Sequence, residues 1–311
     1  MHVFVIVLAI LLALVLSVGT FTFFMACLRK KEPQWLNPEA LKGTGAERLC
    51  QYILQAQNWM DSHKVEDIHI QSGDGLNLYA RWIPAEKPRG TILLAHGYQS
   101  TPYIDFSLVL DVYHNLGMNM LIPDQRCHGK SEGKYITFGV KEWQDMACWV
   151  DYHNTNLGGG PIILSGLSMG ASTVLYMADE KLPPNVKGII ADCGFTSPYA
   201  IIGKVFRSVT HLPPWPFLWV TDLCARLFAD FSLKQKDTRK TLLSGKYPVI
   251  LAHGLADDFV PCEMSQEAYN VCTSEKELLI VENAGHGYSF LKDRERYTQA
   301  VTTFLQKNLE E

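Results

Sequence analysis

Five short apolar runs, at residues 91–95, 118–122, 161–164, 186–191 and 247–252, alternate with helix-like stretches, and a sixth follows at 277–281. Runs this short and this continuously apolar are strands buried on both faces, the environment of a mostly parallel sheet covered by helices. Ahead of them, Val65-Glu66-Asp67-Ile68-His69-Ile70 and Leu76-Asn77-Leu78-Tyr79-Ala80-Arg81-Trp82 flank Ser72-Gly73-Asp74-Gly75, a hairpin turn signal. A hairpin followed by alternating strands and helices predicts an α/β fold: an eight-stranded, mostly parallel sheet with helices on both faces.

The run at 161–164 leads into Gly166-Leu167-Ser168-Met169-Gly170, and residues 171–178 after it read as a helix. A G-x-S-x-G turn between strand and helix holds its serine in a strained, exposed position, so Ser168 reads as a nucleophile. A serine hydroxyl needs a base within hydrogen-bond reach and a third group that orients the base. Loops after parallel strands converge on one ligand site. The loop after 277–281 carries His286 as the base, and the loop after 247–252 carries Asp257 as the acid. Asp258, its neighbour, and Asp192, after the run at 186–191, compete for the acid role. The backbone amides of Met169 and Tyr98 are the predicted oxyanion hole, the second from the turn His96-Gly97-Tyr98-Gln99-Ser100. His96, His128 and His253 each precede a glycine and read as structural hydrogen-bonding residues. With no H-E-x-x-H, paired cysteine cluster or P-loop, no metal and no cofactor are expected.

The alternation breaks between Gly194 and Lys246, a stretch containing His211-Leu212-Pro213-Pro214-Trp215-Pro216-Phe217-Leu218-Trp219. It reads as a helical cap, about residues 195–246, inserted after the sixth strand. Trp215, Phe217 and Trp219 are its candidate contacts to an apolar substrate; packing of the cap onto the core is the alternative for each.

Residues 3–28 carry no charged side chain, enough at about 1.5 Å per residue to cross a hydrocarbon layer of roughly 30 Å. Met1-His2 supplies no Lys or Arg ahead of the run, which favours an uncleaved anchor over a signal peptide. Phe24-Met25-Ala26-Cys27 faintly resembles a lipoprotein signal, against which the missing basic start also argues. Arg29, Lys30 and Lys31 follow, so the positive-inside rule predicts a single-pass protein of the cell membrane with its catalytic domain cytoplasmic. The expected organisation is an anchor at 1–28, a linker and helix at 29–64, and a catalytic domain at 65–311. Within the second segment, 33–38 reads as linker and 38–62 as a helix carrying Leu49, Tyr52, Ile53, Ala56 and Trp59 at helical spacing. A net charge of −4 gives no footprint for nucleic acid. The eight cysteines form no C-x-x-C pair and read as reduced thiols.

Together these motifs make the chain resemble the α/β-hydrolase superfamily, and more closely its bacterial serine aminopeptidase, lysophospholipase and monoacylglycerol-lipase-like members. The matching pieces are Leu94-Ala95-His96-Gly97, Pro123-Asp124-Gln125-Arg126-Cys127-His128-Gly129-Lys130-Ser131, the pentapeptide around Ser168, residues 253–261, and Gly285-His286. Members usually carry glycine where this chain has Cys127, so the backbone there must suit a residue with a Cβ. The resemblance implies hydrolysis of esters or amides. The expectation is a carboxylic ester hydrolase for apolar or lipid-like small molecules, working through Ser168, His286, Asp257 and an acyl-serine. A peptidase, an acyltransferase and a non-enzymatic membrane-bound binding protein are the alternatives.

Overall fold

The computed structural model describes residues 1–30 and 47–309. Lys31, the linker at 33–38, the start of the helix expected from Pro38 and the side chain of Leu49 lie outside the described residues. The chain begins with α1 (His2–Cys27), and α2 (Glu47–Asp61) precedes the hairpin β1 (Glu66–Gln71) and β2 (Asn77–Ile83). Then follow β3 (Gly90–Ala95), α3 (Pro102–Phe106), α4 (Leu110–Asn115), β4 (Met118–Asp124), α5 (Glu142–Asn156), β5 (Ile162–Leu167), α6 (Met169–Leu175) and β6 (Val186–Asp192). Between β6 and β7 (Val249–Gly254) lie the inserted helices α7 (Pro198–Thr210), α8 (Phe217–Ala229) and α9 (Thr238–Leu243). The chain closes with α10 (Glu263–Val271), β8 (Lys276–Val281), α11 (Ser289–Lys292) and α12 (Arg294–Leu309).

The eight strands form one sheet in the order β1-β2-β4-β3-β5-β6-β7-β8. β2 pairs antiparallel with β1 and β4, and every other pairing is parallel. Alternation along the pleat explains the continuous apolar runs: Ile92 and Leu94 enter one core, while Leu93 and Ala95 enter the core on the opposite face. β7 does the same, with Ile250 and Ala252 on one side and Val249 and Leu251 on the other. β5 runs past the expected 161–164 because Gly166 pairs with Ala95 and Ala191, and Leu167 with Asp192.

A third core lies beyond the carboxyl ends of the strands, where Phe23 and Cys27 of α1 meet Phe138, Met169, Phe206 and Leu218. The last half of α1 therefore belongs to the folded body. Gly19 lets α8 approach: a methyl group there would stand 2.5 Å from Val220 Cβ and 2.7 Å from the Phe217 carbonyl oxygen. Thr221 Oγ1 donates to the Gly19 carbonyl at 3.0 Å, and Phe23 packs on the Tyr135 and Phe228 rings. Just past the helix, Arg29 donates to the carbonyls of Gly129 and Ser131, each at 2.8 Å. Residues 2–14 of α1 are exposed on all sides. Among the described residues, α1 is the one helix long and apolar enough to cross a membrane.

Candidate active site

The turn between β5 and α6 places Ser168 at φ 56° and ψ −114°, outside the ordinary regions for an L residue. Two glycines make the turn possible. A methyl group on Gly170 would lie 1.8 Å from the Ala95 carbonyl oxygen, and one on Gly166 2.3 Å from the Gly170 carbonyl. The Ser168 amide donates to the Asp192 carbonyl at 2.8 Å, tying the strained residue to the end of β6. The Met169 amide opens α6, where the first N–H groups of a helix have no intrahelical acceptor.

Ser168 Oγ lies 2.9 Å from His286 Nε2, and His286 Nδ1 lies 2.6 Å from Asp257 Oδ2. A carboxylate only accepts, so Nδ1 carries the proton and Nε2 is left to accept from the serine hydroxyl. Asp257 is held from four directions. Its Oδ1 accepts the amides of Phe259 at 3.0 Å and Val260 at 2.8 Å, and its Oδ2 faces His253 Nε2 at 3.2 Å as well as His286. Burial raises the Asp257 carboxyl, but the hydrogen bonds from His253 and His286, the His286 charge and the Val260 amide outweigh it and hold the group well below the usual carboxylate range.

Among the described residues, neither of the other candidate acids hydrogen-bonds the imidazole. Asp192 is buried at the end of β6 and accepts from Ser289 Oγ at 2.9 Å; burial raises its carboxyl. Asp258 is exposed, and its backbone carbonyl accepts from Lys204. Cys193 Sγ, an Asp257 oxygen and a His286 nitrogen lie within 4.8 Å of one another, a grouping of metal-ligand donors among the described residues. Both nitrogens of that histidine already face partners, Ser168 and Asp257.

The three other glycine-preceding histidines hold loops. His96 Nε2 accepts the Gln125 amide at 2.9 Å, His128 Nε2 accepts the Gln99 amide at 3.0 Å, and His253 Nδ1 faces Ser265 Oγ at 2.7 Å. Asp105, which sequence reasoning missed, braces the turn after β3 by accepting the Gly97 amide at 2.5 Å and Ser100 Oγ at 2.6 Å. Burial pushes its carboxyl up to about 6, against those two hydrogen bonds and the charge of His286. Cys127 adopts φ 67°, the left-handed region in which a Cβ is strained, and its thiol is buried.

A cavity of about 380 Å³ opens from Ser168 between α1 and α7, within the ordinary range for ligand pockets. Its walls include Val18, Phe21, Thr22, Met25 and Ala26 of α1 and Ile201, Ile202, Val205 and Phe206 of α7, with Tyr98 and Phe259 beside the serine. Trp215, Phe217 and Trp219, the expected substrate contacts, do not line it. Trp215 and Trp219 are 72% and 60% exposed, while Phe217 turns inward against Phe206 at 5.3 Å between ring centroids. The helical period of α8 separates residues two apart, so Phe217 and Trp219 cannot share a face. No sequence signal pointed to Val18 or Phe21, because their place depends on α1 folding back onto α8, 202 residues away.

Residues 86–243 match the family model described as serine aminopeptidase, S33. The uncharacterized protein YqkD of Bacillus subtilis is 28% identical over 237 residues, covering 76% of this chain and 77% of its own length. Among solved structures, the esterase Pf2001 of Pyrococcus furiosus superposes with a TM-score of 0.65 at 25% identity, over 80% of this chain and 94% of the esterase. Est1E of Butyrivibrio proteoclasticus, solved with ferulic acid bound, shares the fold at a TM-score of 0.61 and 20% identity, over 78% of this chain and all of its own (100%).

Proposed function

This chain belongs to the serine aminopeptidase, S33, family of α/β hydrolases, and from that premise we propose that it hydrolyses carboxylic esters of apolar, lipid-like acids through Ser168, His286 and Asp257. The observation that carries the reading is the placement of Ser168 at the inner end of an apolar cavity, within 2.9 Å of an imidazole oriented by a buried carboxylate. His286 takes the hydroxyl proton as Oγ attacks the ester carbonyl, and the carbonyl electrons move onto oxygen. The amides of Tyr98 and Met169 receive that oxyanion, a contribution of typically about 2.7–4 kcal/mol per donor. His286 then protonates the leaving alcohol, and water, deprotonated by the same nitrogen, releases the acid from the acyl-serine. Asp257 keeps the tautomer and stabilises the imidazolium.

The family description names an aminopeptidase, a reading that requires a carboxylate for the free amino terminus of a peptide. The inserted helices offer Asp222, Asp230 and Asp237, and each is paired already: with Arg226, with Lys141 and with Arg239. An apolar wall suits an acyl chain better. A panel of p-nitrophenyl esters of increasing acyl length, run beside aminoacyl anilides, decides between them. The ester reading expects turnover of the esters that rises with chain length; faster turnover of the anilides contradicts it.

The helix α1 is, in the same proposal, an uncleaved membrane anchor with the catalytic domain on the cytoplasmic side. Two features support retention: α1 walls the cavity, and Tyr98 of the oxyanion loop donates its hydroxyl to the Ala26 carbonyl at 2.7 Å. Cleavage after Ala26 would remove both.

A further inference from the structure

An apolar helix of 26 residues is about 39 Å long, enough to span a bilayer. Its docked portion changes what that length means. The freely exposed part, residues 2–14, is only about 20 Å long and falls short of the roughly 30 Å hydrocarbon layer. The rest of the required length comes from residues that already pack on the catalytic body, from Val15 onward. Burying α1 in hydrocarbon therefore brings the outer rim of the inserted helices to the membrane. That rim is built for such a place: Val209 at the end of α7 is 74% exposed, and Leu212, Trp215 and Trp219 beside it are exposed as well. Tryptophan is enriched at the membrane interface, where its apolar ring and N–H meet both phases.

The cavity runs to this rim. Ala26, whose carbonyl accepts from Tyr98, lines it together with Ser168, and so do Val18, about 12 Å from Ala26 along α1, and the exposed Val209. We propose that the cavity opens sideways into the acyl layer of the membrane, that its occupant is the single long acyl chain of a membrane-resident ester, and that α1 is one wall of the acyl site. The substrate then reaches Ser168 along α1 without its chain crossing water. Membrane attachment and acyl selectivity are two uses of one helix. This rests on the reading of Ser168 as the nucleophile and of α1 as a retained anchor.

The test uses the full chain in phosphatidylcholine vesicles and a hexadecyl fluorophosphonate carrying a diazirine at the far end of its chain. Attack by Ser168 forms an Oγ–P bond, breaks P–F with loss of fluoride, and leaves the proton on His286; photolysis then marks where the chain end lies. The expected result is phosphonylated Ser168 with its main crosslinks on α1, between Val18 and Met25 or toward the N-terminal side. Phosphonylated Ser168 with crosslinks confined to other elements overturns the α1 wall and leaves the hydrolase reading standing. Unlabelled Ser168 overturns the nucleophile assignment and the inference with it. A kinetic arm is independent: Val18→Trp, which enlarges a wall residue of the cavity, should lower the ratio of kcat/KM for a monopalmitoyl ester in vesicles to that for an acetyl ester about tenfold. Leu11→Trp, on the free part of α1, should leave that ratio unchanged. An unchanged ratio in Val18→Trp contradicts the proposal.

Discussion

Asp257 accepts from two amides and faces two imidazoles, which fixes its charge as well as its position. A carboxyl held below its ordinary value of 3.8 contributes stability that is present above that value and lost as pH falls through the lower folded one. The melting-temperature gap between the wild type and Asp257→Asn should therefore narrow as the pH falls below about 4. The same substitution puts an uncharged amide, which can donate as well as accept, where the carboxylate fixed the imidazole tautomer, and should lower kcat on the order of 10⁴-fold. A gap that widens as the pH falls below about 4, or a kcat within about tenfold of wild type, contradicts the role given to Asp257. At this scale the sequence was informative where a side chain lies just past an apolar strand: Ser168, Asp257 and His286 each sit in such a loop, and the structure brings them together. Asp105 gave no such sign, since it lies on a short helix and acts through a turn eight residues earlier. Cys127 was visible as a departure, and its φ of 67° shows that the chain tolerates a Cβ in a glycine-like conformation.

The central strands were legible because burial on both faces leaves a continuous apolar run that needs no long-range information. The contacts of α1 were not. Length and composition mark it as apolar, but only its neighbours show that one half is free and the other is wall and support. Gly19 is the residue on which that packing turns, since a methyl group added there would come within 2.5 Å of Val220 Cβ. Gly19→Leu should force α1 away from α8, at about 1–3 kcal/mol typical of overpacking, without changing the length of the apolar helix. Limited trypsin digestion should then cut faster after Arg29, whose guanidinium otherwise bonds the Gly129 and Ser131 carbonyls, while the protein still floats with vesicles. Equal cutting rates in the two proteins contradict the docking of α1. The aromatic stretch around Trp215 shows the reverse limitation: aromatic composition predicted pocket contacts, and the fold left both tryptophans facing outward.

In the whole molecule, two cores flank the sheet and the third joins α1 to the inserted helices above the strand ends. Ser168, His286 and Asp257 thus lie between the sheet and the exposed rim of the inserted helices. If α1 is a retained anchor oriented by Arg29, Lys30 and Lys31, a reporter fused to the C-terminus should be active only on the cytoplasmic side. Activity on the opposite side reverses the orientation but not the chemistry. The chemistry is tested most directly by the intact mass of the purified full chain after reaction with a fluorophosphonate. The account predicts one phosphonyl adduct, mapped to Ser168 and absent from Ser168→Ala; an unmodified wild-type chain, or an adduct that persists in that variant, would contradict it.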